Sequence, residues 1–290
     1  MSRENLFKNI EPHKIITKTY IQLLLKQRPR DSSKGDYGHA LLVAGHQGTM
    51  GSAVIASRAC FRSGVGLLTV KIPKEERFIL QTSIPEAMLI FSEEVKTDYN
   101  FFNAIGIGPG IGISPESKDV LSEILMNGKK PLLLDADALN IISKNKDLIH
   151  KIPNKTILTP HSKEFDRLFG IHDNTDERIE TAFLKAKEHN IIIVLKGHET
   201  FITNGIDGFF NTTGNAGLAK AGSGDALSGI ITSFLAQNYE PYTAAKISVF
   251  IHGLAADIAI EKQSIESVLI TDIIEFLGEA FKQIQAPLSH

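Results

Sequence analysis

The sequence predicts a three-layer α/β/α fold with a mostly parallel central sheet and a small antiparallel edge. Three features of the 290-residue chain predict it. Short apolar runs alternate with amphipathic helical stretches, the pattern of a sheet covered by helices on both faces. Within each run neighbouring residues are apolar together rather than alternately, as in strands buried on both sides. Near residues 200–211 two short strands flank Asn204-Gly205, a hairpin signal that places the antiparallel edge.

The elements follow in order. Residues 1–36 are polar, broken by Pro12 and Pro29, and enclose a helical stretch at 17–27. Strand runs come at 40–44, 66–70, 104–107, 132–134, 156–159 and 191–195. Stretches between them, such as 118–126 and 176–188, read as crossover helices. Beyond the hairpin the pattern is helical, at about 225–237, 242–262 and 270–284. No repeat, low-complexity linker or composition break divides the chain, so one domain is expected.

Composition narrows the function. Hydrophobic residues make up 42% and charged residues 22%, and the formal net charge is −2. That balance gives no general affinity for nucleic acid or for anionic membranes. The single cysteine, Cys60, excludes an intrachain disulfide and a multi-cysteine zinc site. It sits in a helical pattern and reads as a buried structural thiol. The N-terminus carries Arg3, Glu4 and Lys8 and lacks the apolar core of a signal peptide. No uncharged apolar stretch is long enough to span a bilayer, so a cytoplasmic protein is expected.

In such sheets ligands sit beyond the carboxyl ends of the strands, which makes the residues after each apolar run informative. Gly45 to Ser52 form a glycine-containing turn into a helix; they are neither a P-loop nor a dinucleotide fingerprint, and His46 reads as a surface histidine. Gly106 to Gly112 hold four glycines in seven positions, which favours a loop facing a ligand. Asp135 and Asp137 end another strand and suit a sugar hydroxyl, a cation or a helix cap. His161 and Glu164 are three apart on an incipient helix. Glu164 suits Mg²⁺ held through water, with a capping box using Ser162 or a surface ion pair as the alternative. Lys196, with Gly197 beside it, suits a nucleotide phosphate, with a solvated lysine as the alternative.

The strongest element is Ala221-Gly222-Ser223-Gly224-Asp225, directly before a helix. Glycine amides and the positive end of the helix form an anion hole for a phosphoryl group in transit. Asp225 is placed to take the proton of an attacking hydroxyl. The alternative is a plain N-cap.

This last loop resembles the anion-hole signature of ribokinase-like kinases. Joined in order with Lys34-Gly35-Asp36-Tyr37-Gly38, Gly108-Pro109-Gly110, Asp135 to Asn140, Thr159-Pro160-His161, Lys196-Gly197 and Asn215 to Asp225, it resembles the ADP/ATP-dependent NAD(P)H-hydrate dehydratases. The resemblance runs from about Lys34 onward. It implies a ribokinase-like dehydratase domain at 34–290 after an N-terminal extension with a helix at 1–33. The implied activity is metabolite repair. The C6 hydroxyl of NADH or NADPH hydrate (NADHX, NADPHX) is phosphorylated, phosphate leaves, and the ring double bond returns. The resemblance implies Asp225 as base and Gly222, Ser223 and Gly224 as the anion hole. Lys196, Gly197, His198, Glu199, Thr200 and Gly224 would contact the phosphoryl donor. Gly110, His161 and Asp225 would contact the hydrate, with Gly51, Ser52 or Ala53. Glu164 would help place Mg²⁺. ADP is favoured over ATP as donor, on the analogy with stand-alone members. A tetramer and a functional link to an NAD(P)H-hydrate epimerase are further implications.

Three positions depart from the family pattern: Ser162-Lys163 stand where Pro-Gly is usual, Ser52 interrupts Gly-Ala, and Ala226 stands where valine is common. The alternative reading is a ribokinase-like kinase for a small vitamin-precursor alcohol, which shares Asp225 and the anion hole but releases a stable ester. A non-catalytic nucleotide-binding module has no need of Asp225. His252, in the apolar stretch 248–260, reads as a packed structural histidine.

Overall fold

A computed structural model describes residues 14–93 and 97–286. The expected extension at 1–33 therefore lies partly outside the described residues. The elements run β1 (Lys14–Ile15), α1 (Lys18–Leu24), β2 (His39–Val43), α2 (Met50–Arg62), β3 (Leu67–Ile72), α3 (Arg77–Ser83) and β4 (Met88–Phe91). They continue as β5 (Ala104–Ile107), α4 (Pro115–Asn127), β6 (Leu132–Leu134), α5 (Ala136–Lys144), β7 (Ile157–Leu158), α6 (Ser162–Phe169) and α7 (Thr175–His189). The chain then forms β8 (Ile192–Leu195), β9 (Thr200–Thr203), β10 (Gly208–Asn211), α8 (Ser223–Ala236), α9 (Pro241–Ile260), α10 (Ile270–Glu275) and α11 (Leu277–Gln285).

Among the described residues the strands form one sheet in the order β1-β10-β9-β8-β7-β6-β5-β2-β3-β4. Pairing is parallel from β4 through β8, and β9 is antiparallel to both β8 and β10. This is the expected mostly parallel sheet with an antiparallel edge. Neighbouring strand residues point to opposite faces, so uniformly apolar runs feed two cores. Leu42, Val70 and Leu133 join Ala56, Ile230 and Ile251 on one face. Leu41, Ile107 and Leu134 join Ile124, Ile142 and Phe165 on the other. Cys60 is buried in the first core.

Local signals place the helix starts. The Ser114 side chain accepts from the Ser117 amide, and Pro115 opens α4. The Asn174 side chain accepts from the Glu177 amide at the start of α7. α9 is long and apolar enough to cross a membrane by length and composition alone. However, it carries Lys246 and Asp257, and 78% of its most apolar window is buried inside the protein, so it is a core helix.

Two details differ from expectation. The predicted helix at 270–284 is two helices, because the Phe276 amide is shared between the Asp272 and Ile273 carbonyls and tightens the turn. The hairpin closes over residues 204–207 between the two strands expected there: Asn204 Oδ1 accepts from the amides of Ile206 and Asp207 at 2.9 and 2.8 Å. β1 and β4 add edge strands that the sequence reading does not assign: β1 is only two residues long, and β4, Met88-Leu89-Ile90-Phe91, is uniformly apolar although only partly buried.

Candidate active site

The strand order turns back between β2 and β5, with β3 and β4 to one side and β6 to β8 to the other. At such a point the loops beyond adjacent strands diverge and leave a crevice. Here the crevice is framed by the loop after β2 and the glycine loop after β5. The Gly45 amide donates to Pro109 O at 2.8 Å, and the Thr49 hydroxyl donates to Gly110 O at 2.7 Å. Gly110 has φ +63, and a Cβ there would lie 3.0 Å from Ser52 Oγ. Only glycine fits, so the two loops are locked side by side.

α8 packs beneath this point against β2, β5 and β6, with α2 along its flank. Its cap is Gly222, at φ +94, and no side chain caps it. Asp225 is therefore not an N-cap; it stands in the first turn. The uncapped helix end keeps its positive pole open toward the crevice. The Asp225 carboxyl is hydrogen-bonded by the Ser52 hydroxyl. Burial pushes its pKa above the ordinary aspartate value, and the charges of Asp135 and Asp137 add to the rise. The Ser52 bond and the Lys196 charge oppose it. Of the three residues in the α2 turn, Ser52 alone presents a polar side chain here. Ala53 is fully buried against Gly45, and Gly51 is exposed.

A charged cluster backs the glycine loop at Gly222 to Gly224. The Lys196 ammonium donates to Asp135 Oδ1 at 2.9 Å and lies 3.9 Å from Glu164 Oε2. Asp135 is 1% exposed, and its Oδ2 accepts from the Ser228 hydroxyl of α8 at 2.7 Å. A Cβ on Gly224 would lie 3.3 Å from Lys196 Nζ, so the lysine sits directly behind the glycine loop. Burial works against the Lys196 charge, but the facing carboxylates of Asp135, Glu164 and Asp225 outweigh it and hold the pKa up. Lys196 is thus an ion-paired, partly buried lysine rather than a solvated one.

His161 and Glu164 share the start of α6 as a capping box. The Glu164 carboxylate accepts from the His161 amide at 2.9 Å, and His161 Nδ1 accepts from the amides of Lys163 and Glu164. An accepting Nδ1 leaves Nε2 to carry the proton of the neutral ring. Burial lowers the His161 pKa, against the pull of Glu164. The capping alternative therefore describes the Glu164 geometry, with His161 rather than Ser162 as the cap. The loop is completed by Asp137, whose carboxylate accepts from the Gly112 amide at 2.9 Å.

Among the described residues no group of three or more His, Cys, Asp or Glu is arranged to hold a metal ion. Mg²⁺ keeps several waters and takes much of its coordination from substrate phosphates. Glu164 is 6% exposed, with Oε2 on the His161 amide and Oε1 3.5 Å from His161 Nε2, which fits a water-mediated role better than direct ligation.

A cavity of about 690 Å³ reaches Ser223 and Gly224 at the start of α8 and is walled by Lys196, His198, Asn215 and His252. A second, of about 630 Å³, lies across the 196–199 segment against Ser162, Arg178 and Glu199. A cavity of about 710 Å³ at the far end of α8, against Arg28, Tyr37 and Gln237, is remote from every expected site residue. Gly197, His198 and Glu199 are exposed, and Thr200 opens β9. The loop between β10 and α8 is held by Asp257, which accepts from the Gly214 amide and from Asn215 Nδ2, both at 2.9 Å. Asp257, Ser228 and the cavity-facing position of His252 escaped sequence reasoning. Ser228 carries one signal, its place three residues after Asp225 on the same helix face.

Residues 40–278 match the family model described as NAD(P)H-hydrate dehydratase. The bifunctional NAD(P)H-hydrate repair enzyme of Moorella thermoacetica is 30% identical over 94% of this chain and 54% of its own length. The ADP-dependent (S)-NAD(P)H-hydrate dehydratase of Listeria monocytogenes is 32% identical over 89% of this chain and 92% of its own. The chain spans about half the length of the bifunctional relatives it matches. The crystal structure of the ADP/ATP-dependent NAD(P)H-hydrate dehydratase of Bacillus subtilis, co-crystallised with ATP/Mg²⁺, superposes with a TM-score of 0.84. It is 29% identical and covers 94% of this chain and 99% of that one.

Proposed function

This chain belongs to the NAD(P)H-hydrate dehydratase family, and we propose that it dehydrates NADH and NADPH hydrates at the expense of ADP. The supporting observation is the position of Asp225: a carboxylate with raised proton affinity, in the first turn of an uncapped helix, between Ser52 and the Lys196–Asp135 pair.

In this reading the hydrate lies against Gly110, Ser52 and His161, with its C6 hydroxyl at Asp225. Asp225 takes the hydroxyl proton as the hydroxyl oxygen bonds to the terminal phosphorus of the donor and the donor's phosphoanhydride bond breaks. The amides at Gly222 to Asp225 and the positive pole of α8 hold the charge on the moving group. Lys196 and Gly224 meet the donor's phosphates; His198 and the rest of 197–200 line the path of the nucleotide. The ester's C6–O bond then breaks, phosphate departs, and loss of a proton from the neighbouring ring carbon restores the double bond. ADP leaves AMP and ATP leaves ADP. The names of the relatives, ADP-dependent in Listeria and ADP/ATP-dependent in Bacillus, support ADP first and ATP second. Mg²⁺, when bound with the donor near Glu164, supplies charge neutralisation on the phosphates.

The match over residues 40–278 favours this activity over a vitamin-precursor kinase. We further place the protein in the cytoplasm, as a tetramer with 34–290 as its catalytic domain, working beside an NAD(P)H-hydrate epimerase. Exposed Phe78, Ile79 and Met88 beside the edge strand β4 suit self-association. The test is recovery of dihydronicotinamide absorbance from NADH hydrate with Mg²⁺ and either ADP or ATP. Recovery with ADP and equimolar AMP and phosphate is expected. No recovery with either donor overturns the reading.

A further inference from the structure

The loop between β10 and α8 walls the cavity beside Gly224 through Gly214, Asn215, Ala216 and Leu218. It is fastened to one face of α9, at Phe250, Gly253 and Asp257, positions three and four apart. The Thr213 hydroxyl donates to Phe250 O at 3.0 Å, and a Cβ on Gly253 would lie 2.5 Å from the Thr213 carbonyl. Asp257 takes the next two residues: Oδ2 accepts from the Gly214 amide and Oδ1 from Asn215 Nδ2, both at 2.9 Å. An ionised carboxylate only accepts, whereas the Asn215 amide group can turn either end toward it. Asp257 therefore decides which way Asn215 points. With Nδ2 on Asp257, Asn215 Oδ1 is left to accept from the Gly217 amide at 2.9 Å and caps the short turn at Ala216–Leu218. That turn faces the cavity; Asp257 lies behind the loop rather than in the cavity wall.

We propose that Asp257 is a positioning residue: by orienting Asn215 it presets the loop that receives the phosphoryl donor. The proposal rests on the reading of this cavity as the donor site. A donor that fits only the preset loop binds more weakly in proportion to the fraction of molecules in which the loop is set. Once the donor is bound the loop is in place, so turnover at saturation is kept. The alternative is that Asp257 only ties the loop to α9 as part of the fold.

Kinetics and binding separate the two. Asp257→Asn keeps the size but sets an amide before two donors, so one bond is lost. Combining Asp257→Asn with Asn215→Asp exchanges the roles: the amide at 257 donates to the carboxylate at 215, which still accepts from Gly217. Rates are measured with ADP and NADH hydrate varied in turn, ADP binding by calorimetry, and melting temperatures in parallel. Asp257→Asn is expected to raise the KM and Kd for ADP roughly tenfold, with kcat and the KM for hydrate within about twofold of wild type. The exchanged pair should recover most of the lost ADP affinity. An unchanged KM for ADP in Asp257→Asn, whatever its melting temperature, overturns the proposal and leaves Asp257 a tie within the fold. Equal rises in the KM for ADP and for hydrate overturn it as well, since they mark general damage to the site. A wild type that binds no ADP fails the donor reading itself, and the proposal with it.

Discussion

Lys196 and Asp135 form an ion pair across the carboxyl ends of β8 and β6, Nζ to Oδ1 2.9 Å, with β7 between the two strands. The pair does more than neutralise a lysine. Through its second oxygen Asp135 also holds Ser228 of α8. One buried carboxylate therefore sets the position of the lysine relative to the helix that carries Asp225.

Asp135→Asn keeps the shape and removes the charge. Breaking a buried pair on one side costs about 3–5 kcal/mol. The Lys196 side chain keeps 21% exposure, so solvent recovers part of that. A loss of about 1–3 kcal/mol in urea unfolding is expected. An unchanged midpoint contradicts a structural role for the pair.

Asp225→Asn removes the proposed base and keeps the volume. Turnover should fall by roughly 10²–10⁴ with the melting temperature close to that of the wild type. Near-normal turnover removes Asp225 from the role of base.

The acid limb of the rate profile reports the same carboxyl. Asp225 accepts a proton only when ionised, and burial raises its pKa, so kcat/KM should fall with decreasing pH at a midpoint above the ordinary value of about 3.9. Ser52 donates to the ionised form. Ser52→Ala removes that support, and the midpoint should move to higher pH. A midpoint that moves down, or stays, shows that the serine does not control the carboxyl.

Gly222→Ala tests the turn. At φ +94 an alanine is strained, and its Cβ would lie 2.6 Å from Ile55 Cδ1. A destabilisation of about 1–3 kcal/mol is expected, with loss of activity because the helix start must shift. Full activity at full stability contradicts the importance of this cap.

Much of this architecture was legible because buried parallel strands write themselves as uniform apolar runs; Leu41 to Val43 face both cores and show it. The edge strand β1, two residues long, leaves almost no pattern, whereas β4 was missed although Met88 to Phe91 are all apolar. The loops of the crevice were legible through glycine and strand-end polar residues. What binds them together was not. Nothing in the spacing of Asp135 and Lys196, 61 residues apart, announces their contact. Asp257 and His252 were hidden by the apolarity of α9, whose composition argues for packing and is silent about the two polar groups it turns toward the β10–α8 loop and the cavity.

The central claim is that the hydrate's hydroxyl is phosphorylated before it leaves. NADH hydrate prepared with ¹⁸O in its C6 hydroxyl, turned over with ADP and unlabelled water, tests it directly. Transfer to that hydroxyl followed by C6–O cleavage puts the label in inorganic phosphate. Label released to water, with unlabelled phosphate, would mean that dehydration bypasses the ester and would contradict the role given to Asp225 and the loop before it.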